Sequence, residues 1–377
     1  MNAGYSSRPR QRVALFESVL RLRRIHWLPI ALLVAASPDS IYAGSLAKVW
    51  ELDLKKALQG EHLSHDQSFK VKSLSFSQDA QQIAVLLEGI AVLFHVPDAK
   101  PVLGHFQNDL YDSFGWSPDG SVIHSGGHVV RLGDQKACDL PPNAIAPKFI
   151  GKGSLVAFYI DPQPTPHGLV DFRHPGPAHL KSYDTDCNEQ DSWEVSAGWF
   201  IHDASPDRGL LSVSEIMPTL PYGHMELIVS PLTKTVVRGR SVAYGPIGSF
   251  SENGRTLCGG NLCWDVDTAR QVGKAPVSGG ASAVATRASR VVLDDDHEGG
   301  IPFSSAFTEM AGRRRVWDYG TNKEVASWQL KFMTYWKSFD SDGFNRDRRP
   351  IPCAISPDGD YVVEGGDGKI WLYRIQP

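Results

Sequence analysis

The sequence lacks every short motif by which common catalytic sites announce themselves. There is no Gly-x-Ser-x-Gly elbow, no His-Glu-x-x-His, no P-loop, no dinucleotide fingerprint and no Cys-x-x-Cys. Ser45 and Lys48 match a penicillin-binding Ser-x-x-Lys by letters alone, on a segment that reads as a strand. No apolar run approaches the roughly 20 residues that a membrane-spanning helix needs. Cysteine is scarce, at five residues, and charged side chains make up only 21% of the chain. An odd cysteine count in an exported protein leaves at least one free or intermolecular thiol. What is abundant is glycine (35), proline (25) and tryptophan (10), the composition of many tight turns between flat, packed strands.

The first 43 residues read as a leader. Arg21, Arg23 and Arg24 form a basic cluster, Trp27–Ala36 is a ten-residue apolar run, and Ala43 offers a small residue for cleavage. That is the layout of a secretory signal peptide or of an uncleaved signal anchor. The long stretch ahead of the cluster points to initiation near Val13 or Val19, and the mature chain is expected to begin near Gly44. The expected location is then periplasmic or extracellular, with no stable membrane insertion once the leader is cut. The segment holds six of the 38 Lys and Arg and two of the 42 Asp and Glu, so residues 44–377 carry a net charge of −8. A chain of that sign repels phosphate backbones, which argues against a nucleic-acid partner.

One phrase recurs along the rest: FSQDAQQIAVL at 76–86, WSPDGSVIHSGG at 116–127, ASPDRGLLSVS at 204–214, FSENGRTLCGG at 250–260 and ISPDGDYVVEGG at 355–366. Each is a strand, a Ser-Pro-Asp-Gly type turn and a second strand. Proline presets φ, aspartate bonds nearby backbone and glycine supplies positive φ. Aromatic-acid strands follow in LCWDVD at 262–267, RVWDYG at 315–320 and KIWLYRI at 369–375. First strands are expected near residues 74, 113, 146, 199, 247, 283 and 353, a spacing of roughly 47 that is proper to propeller blades. The last blade stops after its third strand, and Leu46–Leu54 is a spare strand able to close the ring. The expected fold is all-β: a seven-bladed β-propeller of four-stranded blades, closed by an N-terminal strand and occupying residues 44–377 after a leader at 1–43.

With its Ser-Pro-Asp-Gly turns and Trp-Asp strands, the chain resembles WD-repeat propellers and is similar to uncharacterised exported bacterial propellers. The likeness runs over residues 45–377; the Gly-His pair of strict WD repeats is mostly missing, with Gly104-His105 as a partial echo. It implies a fold and leaves function open.

In such a meander, loops between the second and third strands and between blades share one face. Residues 161–178, 217–224, 294–312 and 331–350 all fall there. Insertions in repeat proteins gather on binding faces. The expected function is therefore a non-enzymatic scaffold for a protein or peptide partner, with Phe172, Tyr222, Phe332, Tyr335, Trp336, Phe344, Arg346 and Arg348 as contacts. The last six make a basic, aromatic loop on an acidic protein. A propeller hydrolase or lactonase with a metal near the channel, using Asp112, His202 and Asp203, is the alternative, as is a carbohydrate-binding surface.

Asp294, Asp296 and Glu298 imitate half a calcium loop, without the bidentate glutamate at the twelfth position. Asp184, Asp186 and Asn188, and Asp340 with Asp342, are weaker versions and read as turns. His167, His174 and His179 flank Asp171 at spacings that fit no established zinc pattern. His124 and His128 read as surface groups, and Arg313–Arg315 as a solvated charge run. Cys258 and Cys263 flank a tight Gly-Gly turn, where they form either a disulfide or two packed thiols.

Overall fold

The computed structural model describes residues 45–59, 68–88, 90–107, 114–151, 153–160, 177–205, 207–216, 224–242, 249–251, 254–259, 262–275, 280–285, 287–295, 313–329, 331–336 and 346–376. All of them fall in a single unit, Tyr42–Pro377.

The Ser-Pro-Asp-Gly phrase folds as its chemistry dictates. Ser117 is buried at the end of one strand; its Oγ donates to Asp119 Oδ1 at 2.6 Å and accepts the Val122 N–H at 2.9 Å. Ser77 does the same with Asp79 and the Gln82 N–H, and Ser356 with Asp358 and the Tyr361 N–H. One hydroxyl thus ties both ends of the turn while the aspartate caps its middle. Gly120 sits at φ +71° with nothing near its missing Cβ, so the requirement there is conformational. Alanine takes the equivalent place at Ala80, with φ 57°.

Among the described residues the strands form seven four-stranded antiparallel sheets and one two-stranded ribbon. The innermost strands are Ser73–Phe76, Phe114–Trp116, Ile145–Ile150, Trp199–Ser205, Ser249–Phe250, Gly280–Val284 and Cys353–Ile355 in blades 1 to 7, each within three residues of its expected position. Each neighbours the next, and that of blade 7 returns to that of blade 1, giving a closed ring of seven blades. The fold is a seven-bladed β-propeller.

Leu46–Asp53 closes it. This strand pairs antiparallel with Lys369–Ile375, from Leu46 opposite Ile375 to Asp53 opposite Lys369, and completes blade 7. Trp50 Nε1 donates to the Val96 carbonyl of blade 1 at 2.7 Å. Leu54 and Leu58 follow in a short helical turn and share one apolar cluster with Leu74, Ile83 and Leu372.

The ribbon corrects one expectation. Residues 331–350 are not all loop: Phe332–Trp336 pairs with Arg346–Pro350, placing Trp336 opposite Arg346 and Thr334 opposite Arg348. The run Phe-Met-Thr-Tyr-Trp is rich in aromatic and β-branched residues, a strand composition that its position between blades obscured.

Two disulfides are present. Cys258 and Cys263 are cross-strand partners in blade 5 and are bonded. Cys138, on the outer strand of blade 2, is bonded to Cys187 in a turn of blade 3, a pairing that sequence separation conceals. Cys353 is the free cysteine among the described residues.

Candidate functional site

Two regions gather chemistry. The first is the end of the disc at which each innermost strand starts. In an antiparallel four-stranded blade the second strand finishes at that same end, and so does the fourth. The connections after Ile160, Ile216 and Asp295, and the segment between Gln329 and Cys353, therefore all leave from one face. Of the expected contacts there, Phe332, Tyr335, Trp336, Arg346 and Arg348 lie on the ribbon, while Phe172, Tyr222 and Phe344 lie outside the described residues. Sequence reading missed Phe200, which stands near the start of the innermost strand of blade 4 and is 51% exposed at the same end.

The ribbon is held at its base by a buried charge network. Ile351 N donates to the Lys331 carbonyl at 3.0 Å, tying the two ends together. Arg314 Nη2 donates to the Ile351 carbonyl at 2.9 Å. Arg314, 0% exposed, also grips Asp294 with two bonds of 2.6 and 2.8 Å and reaches Glu364 at 2.9 Å. Glu364, itself 0% exposed, accepts Trp328 Nε1 at 2.8 Å and Lys331 Nζ at 3.2 Å. The Lys331 ammonium lies 4.2 Å over the Trp371 ring.

This arrangement overturns the reading of residues 313–315 as a solvated run. A local triplet of arginines carries no sign of carboxylates 20 and 50 residues away. It also gives Asp294 a partner, since both its oxygens are taken by Arg314. Asp296 and Glu298 lie outside the described residues, as do Asp171, His167, His174, Asp340 and Asp342. Asp184 accepts N–H groups from Asp186 and Asn188, and Asp186 pairs with Arg131 and Lys136, so this cluster is a bonded turn.

The second region is the axis. The innermost strands of all seven blades line a cavity of about 390 Å³. Serines 73, 75, 249 and 282 and Gln78 contribute polar groups, and Lys148, His202, Asp203, His124 and Cys353 are the ionisable residues of the lining. His202 Nε2 hydrogen-bonds Ser214 Oγ at 2.8 Å. Asp203 Oδ2 accepts the Phe250 N–H at 2.7 Å; burial raises its pKa, against the opposing pull of Lys148 and that N–H. Lys148 makes no hydrogen bond or ion pair with a described residue. Cys353 Sγ is 3.3 Å from Ser282 Oγ, and burial lifts its thiol to about 11 against the pull of Arg314.

His124 does not stand on the surface as its sequence context suggests. It is 0% exposed within the cavity lining, and neither ring nitrogen has a hydrogen-bond partner among the described residues. Burial, with Lys148 nearby, depresses it to about 3. Of the residues named for a channel metal, His202 and Asp203 are neighbours on the axis and Asp112 lies outside the described residues. Among the described residues no three or more His, Cys, Asp or Glu stand together as a metal set, and no helix is long and apolar enough to cross a membrane.

No protein-family model matches the sequence, and no curated protein matches it. Among solved structures, a chain in the crystal structure of a mitotic checkpoint complex is similar, with a TM-score of 0.52 and 12% identity over 88% of this chain and 96% of that one. At that identity the likeness speaks for the fold.

Proposed function

We propose that this chain is an exported, non-enzymatic propeller of a bacterial envelope that binds a protein or peptide partner through the face bearing its long connections. The observation that carries the reading is the strand order: four long segments depart from one end of the ring. Rigid scaffolds present contacts on such loops, and repeat proteins collect insertions on the binding side. The ribbon base clamped by Arg314 and Glu364 supports it, because a fixed mount lowers the ordering cost of binding. Phe200 adds an exposed aromatic at the same end. Export is supported by the two disulfides, which persist in oxidising compartments.

The test is a pull-down from the native envelope with residues 331–350 deleted as the control. A partner captured by the parent and lost by the deletion is expected. Trp336→Ala should weaken that partner by about 2 kcal/mol or more while leaving the fold nearly untouched. Equal capture by the deletion variant would remove the ribbon from the interface. A much lower melting temperature in Trp336→Ala would assign the tryptophan to the core.

A further inference from the structure

The axial cavity has the marks of a ligand site in its own right. Its volume of about 390 Å³ falls in the range of roughly 300–1,000 Å³ typical of small-molecule sites. Its fixed cation is Lys148, half-buried and without a hydrogen bond or ion pair to any described residue. An anionic group entering the cavity would give that ammonium a charge-assisted hydrogen bond. Asp203 does not serve as the counter-charge: it is out of salt-bridge range of Lys148 and spends Oδ2 on the Phe250 N–H. Its raised pKa, caused mainly by burial, weakens the competition further.

The backbone points to the same place. The innermost strands of blades 1, 2, 5 and 7 pair in regular register. Those of blades 3, 4 and 6 are bulged: between Ile145 and Lys148, between Ile201 and Asp203, and between Ala281 and Ala283. Bulges re-aim side chains and concentrate beside functional sites. Here they fall immediately before Lys148, at His202 and at Ser282, and all three of these residues line the cavity.

We propose that the cavity binds a small hydroxylated carboxylate, with Lys148 taking the carboxylate and the serine hydroxyls of residues 73, 75, 249 and 282 taking the ligand's hydroxyl groups. One lysine matches a single negative charge. A phosphate dianion more often meets an arginine fork or a helix N-terminus, and the cavity lining includes neither. This inference is independent of the partner-binding face, since the ligand sits on the axis.

The test is calorimetric titration of the disulfide-bonded protein with sodium gluconate at constant ionic strength. Saturable one-to-one binding is expected, weakened at least about tenfold in both Lys148→Met and Lys148→Gln, as loss of a charge-assisted bond implies. At tenfold excess over Kd the parent should melt about 2 °C higher. Gluconate should also protect Lys148 from reductive methylation in peptide mapping, a readout that needs no variant. Absence of binding at tens of millimolar, unchanged affinity in the variants, or equal methylation with and without ligand would each overturn the proposal. Acetate or inorganic phosphate binding as tightly as gluconate would do so too, reducing the cavity to a simple anion hole.

Discussion

The imidazole of His124 sits between Phe114 and Phe149, with ring centroids 6.5 and 5.5 Å away, and gains nothing from its nitrogens. Its pKa near 3 in the folded state compares with about 6.5 unfolded. Between those values the unfolded chain binds the extra proton, so the site's stability is complete above about pH 6.5 and drains away as pH falls toward 3. At pH 5 the loss is about 2 kcal/mol. Urea unfolding at pH 7.5 and pH 5 should therefore show His124→Phe resisting acid better than the parent by about that amount. An unchanged difference would mean that the folded imidazole accepts its proton after all. Neither His124 nor Arg314 was legible in sequence, and for one reason. A polar residue beside a glycine turn, like His124, or in a run of arginines, like Arg314, reads as exposed, and only contacts from other strands or blades decide otherwise.

At the scale of elements, legibility followed the range of the interactions. The Ser-Pro-Asp-Gly turns were readable because their bonds span two to five residues, as Ser117 to Asp119 and Val122 to Ser117 show. Blades 3 and 6 lack a clean phrase, yet their first strands, Ile145–Ile150 and Gly280–Val284, lie within three residues of the positions expected from the repeat spacing. The three inner bulges were not readable, since a bulge depends on what the partner strand does. The disulfides divide likewise: Cys258 and Cys263 are 5 residues apart in one hairpin, Cys138 and Cys187 are 49 apart across two blades. Loop-closure entropy ranks them, giving about 4 kcal/mol for the long loop and about 2 kcal/mol for the short one. Thermal melts should show the double variant Cys138→Ala, Cys187→Ala falling further than Cys258→Ala, Cys263→Ala. The reverse order would indicate that blades 2 and 3 hold together without their covalent tie.

For the whole molecule the decisive joint is the one where the ring meets itself. Every other blade is built from consecutive strands; blade 7 borrows Leu46–Asp53 from the far end of the chain. The joint is knit by the strand ladder, by Lys369 to Glu51 at 2.7 Å, by Trp50 to the Val96 carbonyl and by the Gln376 N–H to the Ser45 carbonyl at 3.0 Å. Exposed salt bridges contribute little, so the ladder and the burial behind it carry the closure. Without that strand, Lys369–Ile375 becomes an open edge with its N–H and C=O groups unpaired on one side, the form of sheet that recruits other chains. Ile375 and Leu372, now 5% and 0% exposed, would lose cover on that side. A chain beginning at Leu54 should melt well below one beginning at Ser45 and scatter light at concentrations where the longer chain stays monodisperse. Equal melting and equal monodispersity would show that the contacts among the seven innermost strands close the disc unaided, leaving the borrowed strand only as a cover for the edge.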